Sequence, residues 1–266
     1  MSDDLVRYER RDDGIALLTL CAPPANTYSY ALMRRLDACI LDARMDEGVH
    51  VIVLTGAGER FFCAGADIRD LQSMTPRFKY CFCLHANETL NRLEQTPKLV
   101  IAALNGHCVG GGLEVAMAAD LRFARQGAGK MGLPEVALGV LPGTGGTQRL
   151  TRLVGKARAL ELMASGRLFD FDEGARLGLV NEVIAAEGAA AFLEAALERA
   201  RQYVPPGRAS RAVGLIKRAV HSGAEMAFAE GLALERELQQ QLFESDDARE
   251  GLAANLEKRP PRFQGR

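Results

Sequence analysis

Apolar positions along this chain change their period several times. Ile15 to Leu20 is an almost unbroken apolar run ended by Pro23 and Pro24, and similar runs cover Val49 to Thr55, Leu99 to Leu104 and Leu121 to Ala124. Short continuous apolar runs bounded by turn residues predict strands buried on both faces. Between them, Leu32, Leu36, Cys39, Ile40 and Ala43 recur at helical spacing within Tyr30 to Ala43, and Arg77 to Glu94 predicts a long helix stopped before Pro97. Strand and helix alternating from Val6 to about Val183 imply a parallel sheet built from βαβ crossovers. From Lys156 the pattern turns helical: 157–165, 171–177, 186–202 and 208–243 carry almost no strand signal. Apolar faces that such a segment cannot bury locally imply packing against other subunits.

Chemistry enters with Gly110-Gly111-Gly112-Leu113-Glu114 and the later Leu133-Pro134-Glu135. Three successive glycines let backbone approach a ligand, and the helix-forming Val115 to Ala119 behind them leaves free N–H groups at a helix start, where developing negative charge is stabilised. Glu114 lies in the first turn of that helix, in an otherwise apolar segment where a carboxylate needs a partner or a task. Complementing the helix dipole is the simpler role for it. A second small-residue loop, Cys63-Ala64-Gly65-Ala66-Asp67-Ile68, follows the strand at Val49 to Thr55, the place where open α/β sheets hold ligands; a tight packed turn is its structural alternative.

The combination of Cys63 to Ile68, Asn105 to Glu114, Gly132 to Glu135 and Pro142-Gly143-Thr144-Gly145-Gly146-Thr147-Gln148-Arg149-Leu150 resembles the crotonase family of enoyl-CoA hydratases and isomerases, over nearly the whole chain. The resemblance implies an α/β fold: a spiral of ββα units over residues 1–200 holding the CoA and acyl site, and a helical region over 201–266 for trimerisation and for covering the CoA site. It implies a homotrimer or a homohexamer. By residue-by-residue match it places the anion-hole N–H groups at Ala66 and Gly111 and the two acids at Glu114, which orients and deprotonates water, and Glu135, which supplies the α-proton. Ala64, Ala66, Asp67, Ile68, Gly111 and Lys258 are the matched substrate and CoA contacts. Two close carboxylates titrate as a pair that keeps one proton near neutral pH.

Because neither acid is replaced, the resemblance favours a hydratase over an isomerase; a hydratase of branched or carboxylated acyl groups, of the methylglutaconyl-CoA kind, and a CoA- or RNA-binding member without turnover are the other readings. Coenzyme A belongs to the substrate, so no separate cofactor is expected, and no metal, since backbone amides provide the electrophile. The resemblance implies an acyl pocket bordered by Leu71 to Leu84, whose Arg77, Lys79, Tyr80 and Phe82 suit a short or functionalised acyl group, or else face water. Two positions depart from the family pattern: Asn255 stands where many members carry a phenylalanine, and Tyr28 replaces a small apolar residue in the early loop.

Composition narrows the rest. The 266 residues, 48% hydrophobic and 25% charged, suffice for one large core. A formal charge of -1 without a basic stripe argues against nucleic acid. No apolar run approaches about 18 residues and the start lacks signal-peptide features, so neither a membrane partner nor export is expected and a cytoplasmic location is. The 6 cysteines have no C-x-x-C spacing and read as small core residues, while the 4 histidines lack metal-ligand spacing and His107 reads as a packed histidine. Gly139 to Thr147 has no lysine before its threonine and is no Walker A loop, so Gly143, Gly145 and Gly146 read as a close-packed turn.

Overall fold

The computed structural model describes residues 5–266. In chain order the strands and helices are β1 (Val6–Arg10), β2 (Ile15–Leu20), α1 (Tyr30–Met45), β3 (Val51–Gly56), β4 (Phe61–Cys63), α2 (Ile68–Ser73), α3 (Pro76–Glu94), β5 (Leu99–Leu104), β6 (His107–Val109) and α4 (Gly111–Met117). They continue with β7 (Leu121–Arg125), β8 (Lys130–Gly132), α5 (Gly146–Val154), α6 (Lys156–Ser165), β9 (Phe169–Asp170), α7 (Phe171–Arg176), β10 (Glu182–Ile184), α8 (Gly188–Arg201), α9 (Ser210–Gly223), α10 (Phe228–Phe243) and α11 (Asp246–Glu257).

The strands form a 6-stranded sheet in the order β1-β2-β3-β5-β7-β10 and a 4-stranded sheet in the order β4-β6-β8-β9. Each successive strand pair, β3 with β4, β5 with β6 and β7 with β8, sends its first strand to the large sheet and its second to the small one before a helix returns the chain. That is the spiral of ββα units. Pairing is parallel except at β1 with β2 and β8 with β9.

The large sheet is buried on both faces, which explains its unbroken apolar runs. Ala16, Leu18 and Leu20 of β2, Ile52 and Leu54 of β3, and Val100, Ala102 and Leu104 of β5 enter the main core with α1, α3 and α4. Their alternates Ile15, Leu17, Val51, Val53, Ile101 and Ala103 enter a second core closed by Phe192, Ala196, Leu197 and Ala200 of α8. Burying each Leu- or Phe-sized side chain contributes about 1.5–3 kcal/mol, so α8 is held by its apolar stripe.

The stretches 157–165, 171–177, 186–202 and 208–243 hold no strand, and the gaps between them hold β9 and β10, of 2 and 3 residues. They extend ladders already begun by β8 and β7, so the partner strand rather than their own period defines them. The helical stretch 208–243 is two helices, α9 and α10, separated at 224–227. Cys39, Cys63 and Cys108 are buried as expected, whereas Cys81 lies on the outer face of α3 and is exposed. No helix of the described residues is long and apolar enough to cross a membrane.

Candidate active site

Three of the loops singled out by sequence leave the C-terminal ends of adjacent parallel strands. The Ala64–Asp67 loop follows β4, Gly110 and α4 follow β6, and Leu133 to Glu135 follow β8. Such an edge is where an α/β sheet presents unpaired backbone groups to a ligand. Gly110 N donates to Gly132 O at 2.8 Å, fastening the second loop to the third. Gly65, in left-handed backbone at φ +82, leans on Gly111 so closely that a Cβ there would stand 3.0 Å from Gly111 N. Neither the Ala66 nor the Gly111 N–H donates to an acceptor among the described residues, and Gly111, opening α4, has none within its helix.

Every residue of α4 is buried, including Glu114 at 1% exposure. A carboxylate in such a place needs donors. Its Oε1 accepts the backbone N–H groups of Thr144 and Gly146, each at 2.7 Å, and its Oε2 accepts the Thr144 hydroxyl. The turn that supplies them is braced from behind: Arg149 Nη2 donates to Glu94 Oε2 and Asn91 Oδ1 at 2.8 Å each, and its Nη1 reaches Thr144 O at 3.4 Å. Residues 142–146, expected to be only a packed turn, thus hold the carboxylate. A glycine-rich turn before a helix was the one local sign; its target lies 30 residues away along the chain.

Glu135 opens a short 3-10 helix, Glu135–Leu138, and its Oε1 stands 3.0 Å from where a Cβ on Gly110 would lie. Its Oε2 is buried and meets no hydrogen-bond partner among the described residues. Burial, and less strongly the charge of Glu114, push this carboxyl up to about 7, against the opposing pull of its own backbone N–H and, more weakly, of Lys79. The two acids therefore face one electrostatic environment, beside the Gly110 backbone and the free Gly111 N–H, and one of them is poised to hold a proton at neutral pH.

The family model for enoyl-CoA hydratase/isomerase matches residues 10–266. The chain belongs to that family. This hydratase/isomerase is 39% identical over 255 residues to a probable enoyl-CoA hydratase of Bacillus subtilis, covering 96% of each chain. It is 37% identical over 260 residues to the mitochondrial methylglutaconyl-CoA hydratase of Rattus norvegicus, covering 97% of this chain and 81% of the relative. Its fold matches the crystal structure of the Geobacillus kaustophilus enoyl-CoA hydratase with a TM-score of 0.95 and 44% identity, over 100% of this chain and 98% of the other. It is an enzyme of the enoyl-CoA hydratase kind, acting on acyl-CoA.

In this enzyme the remaining matched positions are spread more widely. Ala64 ends the β4 edge with its N–H on Ala25 O at 3.0 Å, Asp67 caps α2 by accepting Arg69 N at 2.8 Å, and Ile68 begins α2 with its side chain exposed. Lys258 is the exposed C-cap of α11, in left-handed backbone, and its ammonium has no partner among the described residues. His107 Nδ1 accepts Lys130 N at 3.1 Å, joining β6 to β8 as a packed histidine. At the end of β4, burial pushes the Cys63 thiol up to about 12, so it is no nucleophile at neutral pH. No group of His, Cys, Asp and Glu side chains among the described residues is placed to hold a metal ion.

Proposed function

We propose that the enzyme hydrates the 2,3 double bond of an enoyl-CoA thioester, and catalyses the reverse dehydration, at the edge formed by β4, β6 and β8. The observation that carries this reading is the unequal pair of acids: Glu114, surrounded by three donors, and Glu135, raised to about 7 with a buried unpartnered oxygen. The thioester oxygen lies against the Ala66 and Gly111 N–H groups, which stabilise the enolate that develops as water attacks; each aimed donor is worth roughly 3–4 kcal/mol. Glu114 takes a proton from water as the water oxygen bonds to Cβ, and Glu135 gives its proton to Cα. The proton gained by one acid and lost by the other is then exchanged through solvent, restoring the pair. Water, the alkene and the product balance without a further reactant.

Ala64, Asp67 and Ile68 line the entry of the CoA moiety, and Lys258 supplies a cation for its phosphates. The same reading makes the protein a homotrimer or homohexamer, since α9 to α11 expose Ile216, Val220, Phe228 and Leu256, the last two at 82% and 84%. Light scattering at a few concentrations gives the assembly directly.

A carboxylated acyl group is the second reading, supported by one observation. Lys79 is half-buried over the Phe82 ring at 5.4 Å and close enough to act on Glu135, whereas Arg77 is exposed. A cation there suits an acyl chain with a second carboxylate.

Loss of the conjugated-thioester absorbance with crotonyl-CoA tests the reaction. Wild type turns over, and Glu114→Gln and Glu135→Gln each lose about 100-fold or more in kcat. A wild type that binds crotonyl-CoA, branched and carboxylated enoyl-CoAs yet hydrates none, or only shifts their double bond, overturns it.

A further inference from the structure

Tyr28 touches three of the four elements that make the site. It forms an isolated parallel bridge with Ala66, and its N–H donates to Gly65 O at 3.0 Å, so its backbone holds the first loop of the anion hole. The phenol end of its ring packs against the second: a Cβ built on Gly111 would fall 1.9 Å from Tyr28 Cε1 and 2.5 Å from its oxygen. No side chain but hydrogen leaves room for that ring. Phe82 of α3 also packs on it, with ring centroids 5.7 Å apart and planes at 60°. Its hydroxyl then reaches Thr144 Oγ1 at 3.3 Å, in a buried contact.

The direction of that last bond follows from counting protons. Thr144 has one hydroxyl hydrogen, and it is directed to Glu114 Oε2. A carboxylate cannot return a proton, so the Thr144 oxygen is left as an acceptor and Tyr28 is the donor. The result is a one-way chain from the Tyr28 hydroxyl through the Thr144 hydroxyl to Glu114. Burial, and then the charge of Glu114, hold the Tyr28 phenol well above its ordinary range, so it stays a donor across the pH range of the reaction. Hydrogen bonds in series polarise one another in a dry environment, and the Tyr28 donor fixes the Thr144 hydroxyl in the orientation that serves the carboxylate.

We infer that Tyr28 is a positioning residue that locks the anion hole to the water-activating carboxylate, its ring setting Gly111 and its hydroxyl setting Glu114 through Thr144. A tyrosine that merely fills the core would use its ring and leave its hydroxyl indifferent. The inference rests on the hydration reading for the role of Glu114, but its geometry does not.

The experiment is a cycle of Tyr28→Phe, Thr144→Val and the double variant, with Thr144→Ser as the hydroxyl-retaining control, assayed for kcat and KM with crotonyl-CoA. Tyr28→Phe keeps the ring and lowers kcat about 3- to 10-fold with KM within about twofold, the size of one neutral hydrogen bond. Thr144→Val lowers kcat about 10- to 100-fold, and the double variant is no worse than Thr144→Val alone, because the phenol acts only through that hydroxyl. Thr144→Ser recovers most of what Thr144→Val loses. Losses that multiply in the double variant, a Tyr28→Phe effect confined to KM, or a Thr144→Ser variant as poor as Thr144→Val overturn the inference. A separate readout covers failure of the hydration reading itself. Acetoacetyl-CoA bound in the anion hole is drawn toward its enolate, which absorbs differently from the keto form. Tyr28→Leu, which takes the ring off Gly111, diminishes that enolate signal, and Tyr28→Phe retains it. If wild type hydrates no enoyl-CoA but the enolate signal divides in this way, the reaction assignment falls and the clasp on Gly111 stands. If Tyr28→Leu leaves the signal intact, the clasp falls whatever the reaction.

Discussion

Gly146 gives its backbone N–H to Oε1 of Glu114 from 2.7 Å, and a methyl group on the same residue would press on that oxygen from 2.9 Å and on Pro142 Cβ from 2.7 Å. Gly146→Ala therefore displaces the carboxylate it supports. With Glu114 in its proposed role, the expected loss is about 10- to 100-fold in kcat, from misplacing that carboxylate by a fraction of an ångström, with a drop of a few degrees in Tm. Steady-state kinetics beside a thermal melt reads both, and an unchanged kcat would show that the turn yields without moving Glu114.

Glu135 sets a pH dependence of both rate and stability. In the proposed reaction hydration needs its proton, so the rate is expected to decline as pH rises through about 7, and Glu135→Gln, slow throughout, to lack that limb. For stability the sign is that of a raised acid: with an ordinary value of 4.5 and a folded value of about 7, the folded chain binds more protons between them, and stability falls as pH rises across that window. Melts at several pH values should show Glu135→Gln gaining on wild type from pH 5 to pH 8, the two pH values bracketing roughly that interval. Parallel curves would remove the raised value.

Arg149 holds the Thr144–Gly146 turn against α3 through Glu94 and Asn91, with 10% of its side chain exposed. Arg149→Met keeps most of the packing and removes the bonds. A stability loss of about 1–3 kcal/mol in urea unfolding is expected, with kcat falling as well because the turn that orients Glu114 loosens. A loss of stability with kcat intact would show that the turn keeps its shape unaided.

Asp120 accepts Val100 N at 2.7 Å, Lys217 Nζ at 2.8 Å and His221 Nε2 at 2.9 Å, pinning α9 to the edge of β5. Burial holds the Lys217 ammonium below its ordinary range, with Asp120 opposing that shift. Lys217→Met leaves a buried carboxylate short of its cation and is expected to destabilise by about 3 kcal/mol. The activity of the folded fraction is unchanged, since none of the three groups touches the site; urea titration and active-site-normalised kinetics separate the two effects.

The large sheet was legible because burial on both faces writes strands as continuous apolar runs. β2 and β5 keep the predicted bounds, Ile15–Leu20 and Leu99–Leu104, and α3 begins one residue early because Thr75 caps it through Phe78 N. The small sheet was not. Its strands β4, β6, β8 and β9 have at most 3 residues, too few to show a period, and three of them were visible only as the lead-in to glycine loops. The family resemblance singled out Glu114, Glu135, Ala66 and Gly111, and the strand order β4-β6-β8 gives the physical reason these four positions converge. Thr144 and Tyr28 were not assigned a part, because their partners are fixed by how α4 meets α5 and by where the early loop crosses Ala66, neither of which any local pattern records.

Helix α3 works as a strut with unlike ends. Asn91 and Glu94, near its last turn, grip Arg149, while Lys79 and Phe82, near its first turns, form the wall beside Glu135 and Tyr28. At about 1.5 Å per residue the two ends stand some 18 Å apart. With the acyl group in its proposed place beside Lys79, libraries aimed at new acyl groups can be confined to the stretch from Pro76 to Tyr80, which reshapes the wall while the far end stays anchored on Arg149.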